Sequence, residues 1–338
     1  MTRRAQLPLP GACALVLAAC AGDTPARPVP ARHERWGIFR DLVLVARNDA
    51  KGGPYFLDRF EVSRRDFGQW LAVTQRRPPA GWVADDGDAV AEDDPASLRP
   101  ATRVDLDTAR AYAGWRWCRL PTRSEWEYAA SAGGAYRYPW GDYVRAEWAN
   151  TSDLGLRQPA AIGTFESGRS PDGPYDLVGN VAEWSESLSP SGWRDLVASP
   201  VLFAERSWLP RGQPASSFAL LAAAPRPLPR QVVGGAYVGL GDAVGRRILR
   251  AGSIPTLSCM PDEWSDTIGV RLAADPRSLL TSLMHEREVP SEGAAALLRT
   301  FLAEPAHRAA LAPEFAAAVE RVGTPGPLFV LLDAALRR

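Results

Sequence analysis

Arg119-Leu120-Pro121-Thr122-Arg123-Ser124-Glu125-Trp126-Glu127-Tyr128-Ala129-Ala130 is the stretch whose reading decides the fold. Pro121 biases Leu120 toward extended backbone, so nothing before it continues as helix. Thr122 and Glu125 have capping-box spacing, which predicts a helix starting at Thr122 and running to Ala130. Tyr138-Pro139-Trp140-Gly141-Asp142 follows. Farther on come Tyr175-Asp176-Leu177-Val178-Gly179-Asn180-Val181-Ala182-Glu183-Trp184, then Val233-Gly234-Gly235-Ala236-Tyr237, then Ile268-Gly269-Val270-Arg271-Leu272.

Upstream, Tyr55 to Val62 alternates well enough for a strand. Ser63 and Asp66 mark a helix start whose buried face carries Phe67, Trp70 and Leu71. Asp105 caps a further helix expected to reach Trp117, with Ala109, Tyr112 and Ala113 inward. Pro78 to Pro100 is acidic and reads as a solvated loop; its spacing does not match an EF-hand. Pro225, Pro227 and Pro229 alternate in an extended surface segment. From Pro276 the composition turns to Ala, Leu and Glu, and Ala294, Leu297, Leu298, Phe301 and Leu302 fall at helical spacing. Leu311, Phe315, Ala318, Val319 and Val322 continue the stripe. With 12 Trp, 30 Pro and 29 Gly, the chain suits a loop-rich α+β core better than a doubly wound sheet or a bundle.

The first residues read as a secretion signal. Arg3 and Arg4 precede the short apolar run Leu7 to Ala19, too short to span a bilayer. Leu17-Ala18-Ala19-Cys20 has the form of a bacterial lipobox, so Cys20 is expected to carry lipid and hold the protein on a membrane. Ala21 after it favours the outer membrane, facing periplasm or surface. The expected layout is 1–19 signal, 20–35 Pro/Ala/Arg tether, 36–274 main domain and 275–338 helical appendage. The formal charge is zero, and no basic footprint for nucleic acid stands out. Lys51 is the only lysine. Of the 4 cysteines, Cys118 and Cys259 remain once Cys13 and Cys20 are set aside.

The four blocks, in this order, resemble the formylglycine-generating enzyme (sulfatase-modifying factor) family over about Tyr55 to Leu272. The resemblance implies an irregular, loop-rich C-type-lectin-like α+β fold. In oxygen-dependent members, two cysteines after the Gly-Gly block bind copper, as soft thiolates suit Cu(I). Here Gly239 and Val244 stand at those positions, and Gly234 to Arg250 contains no sulfur. The 3 histidines, His33, His285 and His307, lie outside the domain, which argues against the His-rich ferrous site of the ergothioneine-synthesis relatives.

The resemblance further implies a structural calcium held by Asp176 and Glu183 carboxylates with Gly179 and Val181 carbonyls; the competing reading is that Asn180 and Glu183 only hydrogen-bond the loop. A second family calcium site would use Asn150 and Thr151. Tyr237, Arg250 and Cys259 mark a candidate ligand cleft. Arg271 is expected to be buried in an ion pair with an acid. The sequence therefore points away from catalysis and copper, toward an envelope binding or scaffold module contacting a protein or glycan. The competing reading is an oxidative maturation enzyme whose site is not the paired-cysteine copper centre.

Overall fold

The computed structural model describes residues 32–79, 82, 95–143, 145–189, 228–238 and 256–337. A 3-10 turn over Arg32–Gly37 and one helical turn, α1 (Ile38–Asp41), lead into β1 (Leu42–Val45) and β2 (Tyr55–Asp58). Next come α2 (Arg64–Thr74), α3 (Leu106–Trp115) and α4 (Arg123–Ala130). Five short strands follow: β3 (Ala182–Leu188), β4 (Arg230–Val233), β5 (Thr256–Cys259), β6 (Ile268–Gly269) and β7 (Ala273–Ala274). The last part is α5 (Pro276–His285), α6 (Glu292–Ala303), α7 (Pro305–Arg321) and α8 (Phe329–Leu336). The strands form one sheet in the order β1-β2-β7 and another in the order β5-β4-β3-β6. All pairings are antiparallel except β3 with β6. The fold is α+β, with irregular loops between short elements.

Local chemistry sets the helix starts. The Ser63 hydroxyl accepts from Asp66 N, and Asp105 accepts from Thr108 N. Thr122 accepts from Glu125 N while Glu125 Oε2 accepts from Thr122 N at 2.8 Å, the reciprocal box the sequence shows. Helix α3 stops at Trp115, two residues earlier than expected. Trp117 adopts φ 57° and Cys118 N turns back to the Ala113 carbonyl, closing the helix with a left-handed residue. Strand β2 also ends early, at Asp58. Arg59 N still donates to the Asp41 carbonyl in the β1 register, but on the β7 side the pairing slips, Asp58 N donating to Leu272 and Val62 N to Val270.

Strand β2 is buried on both faces. Tyr55 and Leu57 pack with Trp126 and Ala129 of α4. Phe56 faces the other way, its ring 5.1 Å from that of Phe301 in α6. The last four helices thus share one apolar cluster with the domain: Phe39, Leu42 and Phe56 meet Leu298, Phe301 and Leu302. Burying each such side chain contributes about 1.5–3 kcal/mol, so the appendage is docked rather than tethered.

Two polar clasps fix its position. Arg119 donates to both oxygens of Glu125 and both oxygens of Asp275, the residue capping α5. Its guanidinium thus joins the cap of α4 to the start of the appendage. Arg35 lies 3.9 Å above the Trp117 ring and pairs with Glu286 at 2.7 Å, which also accepts from Trp117 Nε1. Cys118 and Cys259 both remain thiols.

Candidate functional site: a buried charged hub

Arg271 and Glu183 are each 0 % exposed and meet at 2.7 Å. Glu183 enters from β3 and Arg271 from the link between β6 and β7. Every guanidinium donor is used. Nε reaches both Glu183 oxygens, and Nη2 reaches Glu183 Oε1 and the Tyr175 carbonyl. Nη1 reaches the carbonyls of Asp58 and Arg59. Trp126 Nε1 donates to Glu183 Oε2 at 2.7 Å. One fork thereby ties both sheets, helix α4 and the 174–181 loop, a geometry lysine cannot reproduce.

Beside it lies a second polar chain. Glu61 accepts from Val181 N and from Asn180 Nδ2 at 2.6 Å. Asn180 Oδ1 accepts from Asn150 Nδ2 and from Ala160 N. Asp176 Oδ2 accepts from Gly163 N. The loop is tightly wound: Asp176 and Asn180 both have positive φ, and Gly179 sits at φ 83°. A Cβ at Gly179 would lie 2.3 Å from the Asn150 carbonyl oxygen, so this close approach requires glycine. Gly234 closes the far side, its carbonyl accepting from Gly179 N.

Acids outnumber bases here. Burial, with Asp176 and Glu183 nearby, pushes the Glu61 carboxyl well above the usual range. Burial likewise pushes Asp176 up to about 6. Asp58, desolvated and close to Asp41, is pushed up to about 8. Such a pocket is relieved by protons or by a hard cation.

The calcium-ligand residues expected from sequence, Asp176, Gly179, Val181 and Glu183, do lie on one short segment. Their side chains have different tasks. Both Glu183 oxygens are committed to Arg271 and Trp126, which leaves Asp176 as the carboxylate of the set. Asn150 Oδ1 is a buried acceptor with no hydrogen-bond partner among the described residues, so the loop is oxygen-rich and one acceptor short of a donor. Among the described residues no three His, Cys, Asp or Glu side chains group as a metal cluster. A cation here would therefore rest on Asp176, on Asn150 and on main-chain carbonyls.

Of the candidate cleft residues, Tyr237 N donates to the Asn180 carbonyl, placing it against the same loop. Cys259 is fully buried at the end of β5, opposite Arg230 in the ladder. Tyr237 follows the other end of β4, where Val233 pairs with Thr256. Arg250 and Cys20 lie outside the described residues, as do Gly239 and Val244. Sequence reading does not single out Glu61 or Trp126, whereas Asn180 hydrogen-bonds its loop as the competing reading expects. The signal for Glu61 was an acid flanked by apolar Phe60 and Val62.

Residues 29–276 match the family model described as the sulfatase-modifying factor enzyme 1-like domain. Over 93 residues the chain is 41 % identical to hercynine oxygenase of Mycolicibacterium thermoresistibile, covering 26 % of this chain and 21 % of that protein. It is 36 % identical over 138 residues to the formylglycine-generating enzyme of Mycobacterium tuberculosis, covering 37 % and 44 %. It is 34 % identical over 108 residues to the inactive C-alpha-formylglycine-generating enzyme 2 of Bos taurus, covering 29 % and 36 %. The chain thus spans less than half the length of these relatives. The solved structure of PvdO from Pseudomonas aeruginosa superposes with a TM-score of 0.43 at 21 % identity, covering 69 % of this chain and 90 % of that one.

Proposed function

Because the chain belongs to the family of sulfatase-modifying factor enzyme 1-like domains, we propose that it is a lipid-anchored cell-envelope member that binds or scaffolds a partner and performs no oxidative chemistry. The observation that carries this reading is where the sulfur lies. The segment Gly234 to Arg250, where the resemblance puts two copper-binding thiolates, has Gly239 and Val244 at those positions. The domain's two thiols lie elsewhere. Cys259 is fully buried within the apolar cluster; Cys118 is partly buried at its edge, and desolvation beside Asp58 pushes its thiol up. A protonated, enclosed thiol is neither a nucleophile nor a ready copper ligand.

The buried hub fits the same reading. Its donors and acceptors are spent on holding loops and sheets together. The calcium we propose is likewise structural, with Asp176 and the Gly179 and Val181 carbonyls as ligands; when bound it supplies positive charge to a loop rich in carboxylates. The anchor is Cys20, the compartment the bacterial envelope with the outer membrane favoured, and the partner a protein or glycan.

A second reading is favoured by the relatives' names, hercynine oxygenase and formylglycine-generating enzyme: an oxidative maturation enzyme using a different site. The deciding experiment incubates purified protein with a peptide bearing the sulfatase cysteine motif, in air, with and without copper. Mass spectrometry should show no conversion to formylglycine. Conversion that depends on copper would refute the non-catalytic reading.

A further inference from the structure

The appendage does more than cover the domain: the two together form an open cavity of about 480 Å³, within the size range of small-ligand sites. One wall is β1 with the Arg59 side chain. The other is α6 with the start of α7. We propose that this junction binds a small carboxylic acid with an apolar chain, a site distinct from the family-like blocks.

Arg59 carries the polar half of the argument. Its main chain is fully used, since N donates to Asp41 and the carbonyl accepts from Arg271. Its side chain is different: it borders the cavity, and its buried Nε has no hydrogen-bond partner among the described residues. A buried donor left unpaired is costly, and on a guanidinium it calls for an anionic acceptor. A carboxylate meets the planar guanidinium with two parallel bonds. Arg40 borders the same cavity from an exposed position and adds a second positive charge. Asp172 and Glu304 also border it. The pocket therefore has little net field, and recognition rests on the directed Arg59 donor rather than on bulk charge.

The apolar half is the opposite wall. Leu297 lines it with Phe301, whose ring lies tilted 4.5 Å from that of His307, and Leu42 faces them from β1. His307 Nδ1 is held by the Phe301 carbonyl at 3.0 Å, which fixes that ring in place. Burial lowers the His307 pKa, so its ring is neutral at pH 7 and extends the apolar surface. A straight alkyl chain of six to eight carbons lies along this wall with its carboxylate at Arg59. Each methylene withdrawn from water strengthens binding about fourfold, so affinity should climb with chain length while the cavity has room. Because the ligand touches both the domain and the appendage, binding also tightens their docking.

The test titrates octanoate into the full protein by calorimetry and follows melting by circular dichroism. Acetate, inorganic phosphate and octan-1-ol serve as the other probes. Octanoate should bind saturably and raise Tm, with acetate, phosphate and octanol each at least tenfold weaker. Arg59→Gln removes the donor and should weaken octanoate at least tenfold. Thr300→Trp, at an exposed helix position that leaves the core untouched, fills the cavity from the α6 side and should do the same. No saturable octanoate binding to the wild type overturns the proposal. So does octanoate affinity unchanged in both variants, or equal affinity for phosphate, since the apolar wall would then contribute nothing.

Discussion

Replacing Glu183 by Gln keeps the shape of the hub and removes one charge. Arg271 would then sit fully buried without its direct ion-pair partner, hydrogen-bonded to the carbonyls of Asp58, Arg59 and Tyr175 and facing Glu61 and Asp58 only at longer range. Breaking a buried pair from one side costs about 3–5 kcal/mol, because the remaining charge is desolvated without compensation. Trp126 Nε1 keeps an acceptor in the Gln carbonyl, so the loss is mainly the charge. For a domain of this size each 1 kcal/mol lowers Tm by about 2–4 °C, so Glu183→Gln should melt roughly 6–20 °C below wild type. Arg271→Lys isolates the other half of the argument. The charge stays, but three ammonium donors replace five forked ones, so main-chain carbonyls go unmet at about 1–3 kcal/mol each. Urea unfolding followed by circular dichroism reads both variants, with unchanged slopes confirming a like-for-like comparison. If both lose less than about 1 kcal/mol, the hub is not what joins the two sheets.

Gly179→Ala should destabilise by at least 2 kcal/mol and perturb the loop, because the added methyl meets the Asn150 carbonyl in a left-handed conformation; a neutral result in thermal melting would remove the close approach. Asp58→Asn tests the raised carboxyl. With its folded value near 8 against an ordinary 3.8, the stability Asp58 contributes is complete below about pH 4 and lost as pH rises through 8. The variant should therefore gain Tm over wild type progressively from pH 5 to 8 and match it near pH 4. Chelator should lower the Tm of wild type more than that of Asp176→Ala, and equal sensitivity would exclude Asp176 as a cation ligand. Cys20→Ser should abolish uptake of labelled fatty acid and release the protein from the membrane fraction.

Local devices were legible because they act over three or four residues. The Ser63, Asp105 and Thr122 caps all form as their spacing indicates, and Phe67, Trp70 and Leu71 turn inward together. Arg271 was legible as a buried ion-pair partner because an arginine between Val270 and Leu272 has nowhere else to put its charge. Its mate was not. Glu183 is 88 residues away and, on its own loop, reads equally well as a cation ligand. Apart from β2, which forms at the start of the stretch read as strand, the strands were the least readable part: β1, β4 and β5 have four residues each and β6 and β7 two, too short to show a period. The docking of the appendage depends on Arg119 reaching Asp275 and Arg35 reaching Glu286. Neither pairing leaves a local signature, and the cavity at the junction is lined by residues from both sides of that docking.

The central claim is that this domain lacks the paired thiolates of a copper site, and Cu(I) affinity tests it most directly. The soluble protein, reduced and kept free of oxygen, is titrated with Cu(I) against a colorimetric chelator. The account predicts that the chelator keeps the copper, because Cys259 is enclosed in the core and Cys118 holds its proton. Stoichiometric Cu(I) withdrawn from the chelator by the wild-type protein, and lost in Cys259→Ser, would contradict it.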